Sequence, residues 1–87
     1  NFNFKIMSKL DEKSIAILIA KALKIESNLI SINSSAENVE EWDSLGHLSI
    51  LQALDQHFDG KAANLKELAS TNSVKDILSL LKKNSLL

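Results

Sequence analysis

No proline and only two glycines occur in the 87 residues of this chain. Turn-rich β architectures draw on glycine and proline throughout, so this composition suits helices and poorly suits a turn-rich β fold. Apolar spacing then places the helices. Ile15, Leu18, Ile19, Ala22 and Leu23 follow the i, i+3, i+4, i+7, i+8 template, which predicts a helix over about residues 10–24. Asp11 and Glu12 stand in its first turn and Lys21 and Lys24 in its last, both favourable to the helix dipole.

A second helix is predicted over about residues 44–58, with Asp43 or Ser44 as its N-cap and an apolar stripe of Leu48, Ile50, Leu51, Leu54 and Phe58. Leu45 lies off that stripe. It is either an exposed partner contact or a side chain packed back on the preceding loop near Trp42. Gly60 is the expected C′ residue. A short helix over 62–68, a turn over 69–72 and a last helix over 73–83 complete the set. Ser73 and Asp76 have capping-box spacing, and Val74, Ile77, Leu78 and Leu81 form the last stripe. The fold class is therefore all-α, a four-helix bundle of three longer helices and one short, around one core. Residues 8–84 make the single domain. Met7 reads as the native start, with 1–7 a disordered or appended segment, and 85–87, including Leu86 and Leu87, frayed.

Between the first two helices lie eighteen residues, 26–43, with no helical period. Leu29, Ile30, Ile32, Val39 and Trp42 read as anchors pinning this loop to the bundle. Ile30 and Ile32 alternate with polar residues, but no second segment is evident for them to pair with. A loop of this length in a small domain is uncommon and is often functional.

Charge is segregated. Residues 26–60 hold seven acids and no Lys or Arg, while residues 1–25 and 61–87 each hold five Lys against two acids. An acidic middle with basic ends argues against nucleic acid as a partner, since that needs a basic face. It suits either a partner with a basic surface or a merely solvated loop. The absence of cysteine excludes disulfides, thiolate metal sites and a Cys nucleophile. The longest apolar run, 15–20, is too short to span a bilayer, and the start lacks a signal-peptide core. A cytoplasmic monomer is expected.

Catalytic chemistry finds little support. His47 and His57 are ten residues apart, about 80° around a helix and well separated along it, so they cannot share one metal. Asp43 and His47 at i, i+4 permit a Ser-His-Asp-like cluster with Ser44, but no oxyanion hole, glycine-rich loop or second lobe accompanies them. Glu37, Glu40, Glu41 and Asp43 lack the ligand spacing and central glycine of a calcium loop. No metal is expected. The Ser44 hydroxyl reads either as a helix cap or as a covalent attachment point at the positive end of a helix, where a phosphate is well placed.

Asp43-Ser44-Leu45, at the start of the second of four helices, resembles the attachment motif of acyl carrier proteins. The context agrees. An amphipathic helix and a long loop precede it, Leu48-Ser49-Ile50-Leu51 and Leu54 repeat the family's apolar spacing, and Ser73-Val74-Lys75-Asp76-Ile77 matches its last helix start. The resemblance covers about residues 8–83.

It implies that Ser44 receives 4′-phosphopantetheine from coenzyme A through a Mg²⁺-dependent phosphopantetheinyl transferase. The chain then carries acyl groups as thioesters without itself being an enzyme. Asp43 and Leu45 are expected to contact the transferase and the acyl- or aminoacyl-activating and transferring enzymes. Glu40, Glu41, Asp55 and Asp59 add attraction for their basic surfaces, and His47 and Leu48 line the mouth of an acyl pocket. The family is acidic along its second helix, whereas Gly46, Ser49, Gln52 and Gln56 stand there in this chain. That departure points beyond general fatty-acid synthesis to a dedicated pathway as an equal possibility. Gly46 after the motif is similar to D-alanyl carrier proteins, so an aminoacyl carrier is the alternative within the family. A helical protein–protein interaction domain without a prosthetic group is the alternative outside it.

Overall fold

The computed structural model describes residues 2–87, with side chains described over 11–87 except Ala63. Three α-helices, α1 (Phe2–Leu23), α2 (Ser44–His57) and α3 (Val74–Lys83), are joined by three short 3-10 turns, η1 (Ser27–Leu29), η2 (Lys61–Asn64) and η3 (Lys66–Ser70). Among the described residues there is no strand. A single antiparallel bridge sets Ser35 opposite Ser73.

α1 starts at Phe2, ahead of the expected residue 10, and no glycine or proline interrupts the stretch before Lys24. The expected disordered or appended segment, 1–7, falls partly on Asn1, which lies outside the described residues, and partly on the first turns of α1.

All three helices stop in the same way. Lys24, Asp59 and Ser85 take the left-handed conformation, with φ of 60°, 54° and 61°. The following N–H reaches back five residues, from Ile25 to the Ala20 carbonyl (3.0 Å), Gly60 to Asp55 (2.8 Å) and Leu86 to Leu81 (2.9 Å). These bonds satisfy carbonyls that a helix end would leave open. Asp59, not Gly60, is therefore the left-handed C′ residue of α2. Gly60 follows it with φ of 83°.

The core is built from the predicted stripes. Ile15, Ile19 and Leu23 of α1, Ile50 and Leu54 of α2, and Val74, Ile77, Leu78 and Leu81 of α3 are buried, joined by Ala16 and Ala20. Leu48 is the exception, at 51% exposed. On the α2 wheel it lies about 100° from its neighbour His47, and it is His47 that falls in line with Ile50, Leu51, Leu54 and Phe58. Leu45 and Leu48, three apart, instead share an outer face, with Leu45 76% exposed. The second of its two predicted environments, packing back near Trp42, is excluded.

The expected short α-helix over 62–68 is two 3-10 turns, broken at Leu65 (φ −95°, ψ 85°). Ala62 and Leu68 are both buried, with Leu65 half-buried between them. Six residues apart on an α-helix they would diverge by about 120°. A period of three residues per turn lines up 62, 65 and 68 on one side.

Four of the five expected loop anchors hold the loop down. Ile30 and Trp42 are buried, Ile32 and Val39 half-buried, but Leu29 is 62% exposed. The loop is also stitched to the start of α3, through Ala36 N–H to the Asn72 carbonyl (2.8 Å) and Val74 N–H to the Ser34 carbonyl (3.0 Å). The pairing partner that the sequence did not reveal is thus the α3 cap, and it takes up Ser34 to Ala36 instead of Ile30 and Ile32. Leu86 and Leu87, expected to fray, are half-buried against the core. The radius of gyration, 12.2 Å, matches the about 12 Å expected of a folded chain this long.

Candidate functional site

The loop ends and α2 begins at Asp43 and Ser44. Asp43 is the N-cap. Its Oδ1 accepts from Gly46 N–H at 2.8 Å, and its carbonyl accepts from His47 N–H at 2.8 Å. Ser44 is the first helical residue. Its side chain is exposed, and its hydroxyl makes no hydrogen bond to a described residue. The capping role open to either residue thus falls to Asp43. The amides of Ser44 and Leu45 remain without a partner among the described residues, at the positive end of a fourteen-residue helix.

Gly46 is what lets the loop close on the helix. A Cβ added there would collide with the Glu41 backbone carbonyl and stand 2.8 Å from Leu23 Cδ2 of α1. Loop, α1 and α2 meet at this one missing side chain. The sequence carries a signal for it, since a glycine inside a helix costs about 1 kcal/mol against alanine and so implies a packing reason.

Trp42 is buried, at 3% exposed. Its indole N–H donates to His47 Nδ1 at 3.1 Å, with the two ring planes 15° apart. His47 Nε2 lies 3.0 Å from the Leu68 carbonyl, which also accepts from the Thr71 hydroxyl at 2.7 Å. A buried indole N–H needs such a partner, which is the signal the lone Trp offered. His47 therefore does not hydrogen-bond Ser44, and Asp43 is engaged with the helix amides. The Ser-His-Asp-like cluster is not assembled.

Beside Ser44 opens a cleft of about 450 Å³, lined by Ala36, Trp42, Asp43, Ser44, His47, Ala69, Thr71 and Asn72. Of the two expected pocket-mouth residues, His47 lies on this cleft and Leu48 does not. The acids divide in two. Glu40, Glu41 and Asp43 are exposed next to Ser44. Half-buried Asp55 lies about 16 Å along the helix axis, and exposed Asp59 lies beyond the helix end. Among the described residues no group of three His, Asp or Glu could hold a metal ion, and no helix is long and apolar enough to cross a membrane.

The surroundings fit a phosphodiester on Ser44: an exposed hydroxyl to carry it, two amides open among the described residues to donate to it, and a cleft alongside. No family model, curated protein or solved structure matches this chain.

Proposed function

We propose that this chain is an acyl carrier protein, without enzymatic activity of its own, in which Ser44 receives 4′-phosphopantetheine from a phosphopantetheinyl transferase. The observation that carries the reading is the division of labour at the helix start. Asp43 holds the cap, and the adjacent Ser44 hydroxyl is exposed and bonds to no described residue. When attached, the group supplies the thiol on which acyl chains travel as thioesters to enzymes of fatty-acid, lipid or dedicated biosynthesis.

The chain's own residues present the site. The open amides of Ser44 and Leu45 favour a phosphate there by about 0.3–1 kcal/mol. Asp43, Glu40 and Glu41 attract the basic surfaces of partners, and Asp55 and Asp59 form a second, separate acidic group at the far end of α2. Leu45 offers the exposed apolar contact, and Leu48 joins it on the same face. His47 borders the cleft beside the attachment point. In this reading α1, α2, the paired turns η2 and η3, and α3 stand for the four helices of the carrier bundle, and the protein acts as a cytoplasmic monomer.

Gly46, the residue that favours an aminoacyl carrier by resemblance, has a packing cause in the approach of Glu41 and Leu23. The acyl reading is therefore preferred. Incubation with coenzyme A, Mg²⁺ and a broad-specificity transferase, followed by mass measurement, tests it. A mass gain lost in Ser44→Ala supports the carrier. An unchanged wild-type mass, with the transferase active on a control, supports an interaction domain instead.

A further inference from the structure

Both ring nitrogens of His47 are committed, and to different parts of the chain. Nδ1 faces the Trp42 indole N–H, which can only donate, at 3.1 Å. Nε2 faces the Leu68 carbonyl, which can only accept, at 3.0 Å. These partners leave one arrangement, with the proton on Nε2 and the lone pair on Nδ1. Trp42 stands two residues before Ser44 and His47 three after it, so their bond closes a short ring of chain that includes Ser44. Leu68 fastens that ring to η3, and Thr71 shares the same carbonyl at 2.7 Å. Trp42 and His47 also form one wall of the cleft beside Ser44. The indole is buried, so removing its acceptor strands a donor away from water and loosens the loop end.

We infer that His47 is a positioning residue for Ser44. It acts through Trp42 and Leu68 to hold the loop–helix junction in the form a modifying enzyme recognises, and it is not a base toward the hydroxyl. Its one lone pair is spent on the indole, leaving none to take the serine proton. A junction populated only part of the time in the competent form weakens apparent binding by that fraction. The inference rests on the carrier reading for the reaction that reports on it.

The test compares transferase kinetics of wild type, Trp42→Phe, His47→Phe and His47→Asn, with coenzyme A and Mg²⁺, at a temperature where circular dichroism shows each folded. Trp42→Phe and His47→Phe are expected to lower kcat/KM about tenfold, mainly through KM. His47→Asn, whose amide oxygen stands near the Nδ1 position, recovers part of the loss. Unchanged kinetics in folded variants, with only the melting temperature lowered, would overturn the inference and leave the carrier reading intact. A wild type that is not modified overturns both. Nitrogen NMR of the wild-type imidazole gives a reading that no variant's folding can spoil. The Nε2–H tautomer supports the bridge, and the Nδ1–H tautomer overturns it.

Discussion

The backbone carbonyl of Glu41 lies too close to Gly46 for a Cβ there to fit. The last turn of the loop is thereby pressed against the first turn of α2, and the approach sets where Ser44 emerges. Gly46→Ala pits two effects against each other. Helix propensity favours alanine by about 1 kcal/mol, while forcing a methyl against backbone costs about 1–3 kcal/mol. Because the obstacle is a carbonyl and not a flexible side-chain end, the steric cost wins. Denaturant unfolding should show a destabilised variant, and a stabilised one would mean that the loop can retreat freely.

Asp43 and Ser44 should behave oppositely. Asp43→Ala removes the acceptor for Gly46 N–H and should cost about 1 kcal/mol. Ser44→Ala should leave stability within about 0.5 kcal/mol of wild type, since its hydroxyl holds nothing in place. Thermal melts of the two variants side by side decide this, and equal losses would count against the assignment of the cap.

The left-handed residue that ends α1 is a lysine, with φ of 60°. Lys24→Gly should raise stability by about 0.5–1 kcal/mol by relieving a conformation that costs an L-residue about 1–2 kcal/mol. Gly60→Ala, at φ of 83°, should lower it by a similar amount although a Cβ there meets open space. Paired melting curves would expose any failure of either sign.

Leucines on α2 should divide by face. Leu54→Ala, at a fully buried position, should cost about 2–5 kcal/mol, a large share of the stability of a domain this small. Leu45→Ala and Leu48→Ala should stay within about 0.5 kcal/mol in urea unfolding. Under the carrier reading, the two exposed variants should instead weaken the interaction with partner enzymes.

If the acids beside Ser44 steer partners, modification should slow as salt rises. The Debye length shrinks from about 10 Å at 0.1 M to about 3 Å at 1 M, so attraction between exposed charges is largely lost. Initial rates with the transferase across that range give the answer. A flat profile would reduce the acidic segment to a solvated face.

The helices were legible because each carries its own stripe and its own cap. The pairing of Ser73 with Asp76 N–H at 3.1 Å follows directly from their spacing. What escaped the sequence depends on chain segments folding back. The Glu41 approach to Gly46 requires the whole loop to be placed first. The Trp42–His47–Leu68 bridge joins residues twenty-one apart at its far end. Leu48 is apolar and stands near the stripe, yet the wheel gives its place in the core to His47. The break at Leu65 reflects the demand that both Ala62 and Leu68 be buried, which overrides the local tendency to one continuous turn of helix. At the candidate site, the position of Ser44 at the loop–helix junction was readable, while its freedom from the capping role was not.

That freedom has a consequence for how the position would respond to change. If folding is indifferent to the oxygen at 44, a library of variants sorted only for well-behaved protein would let serine drift to alanine, threonine or cysteine there. The same library sorted for loading would, under the carrier reading, keep it. Comparing the two outcomes would separate what the architecture asks of this residue from what its chemistry asks.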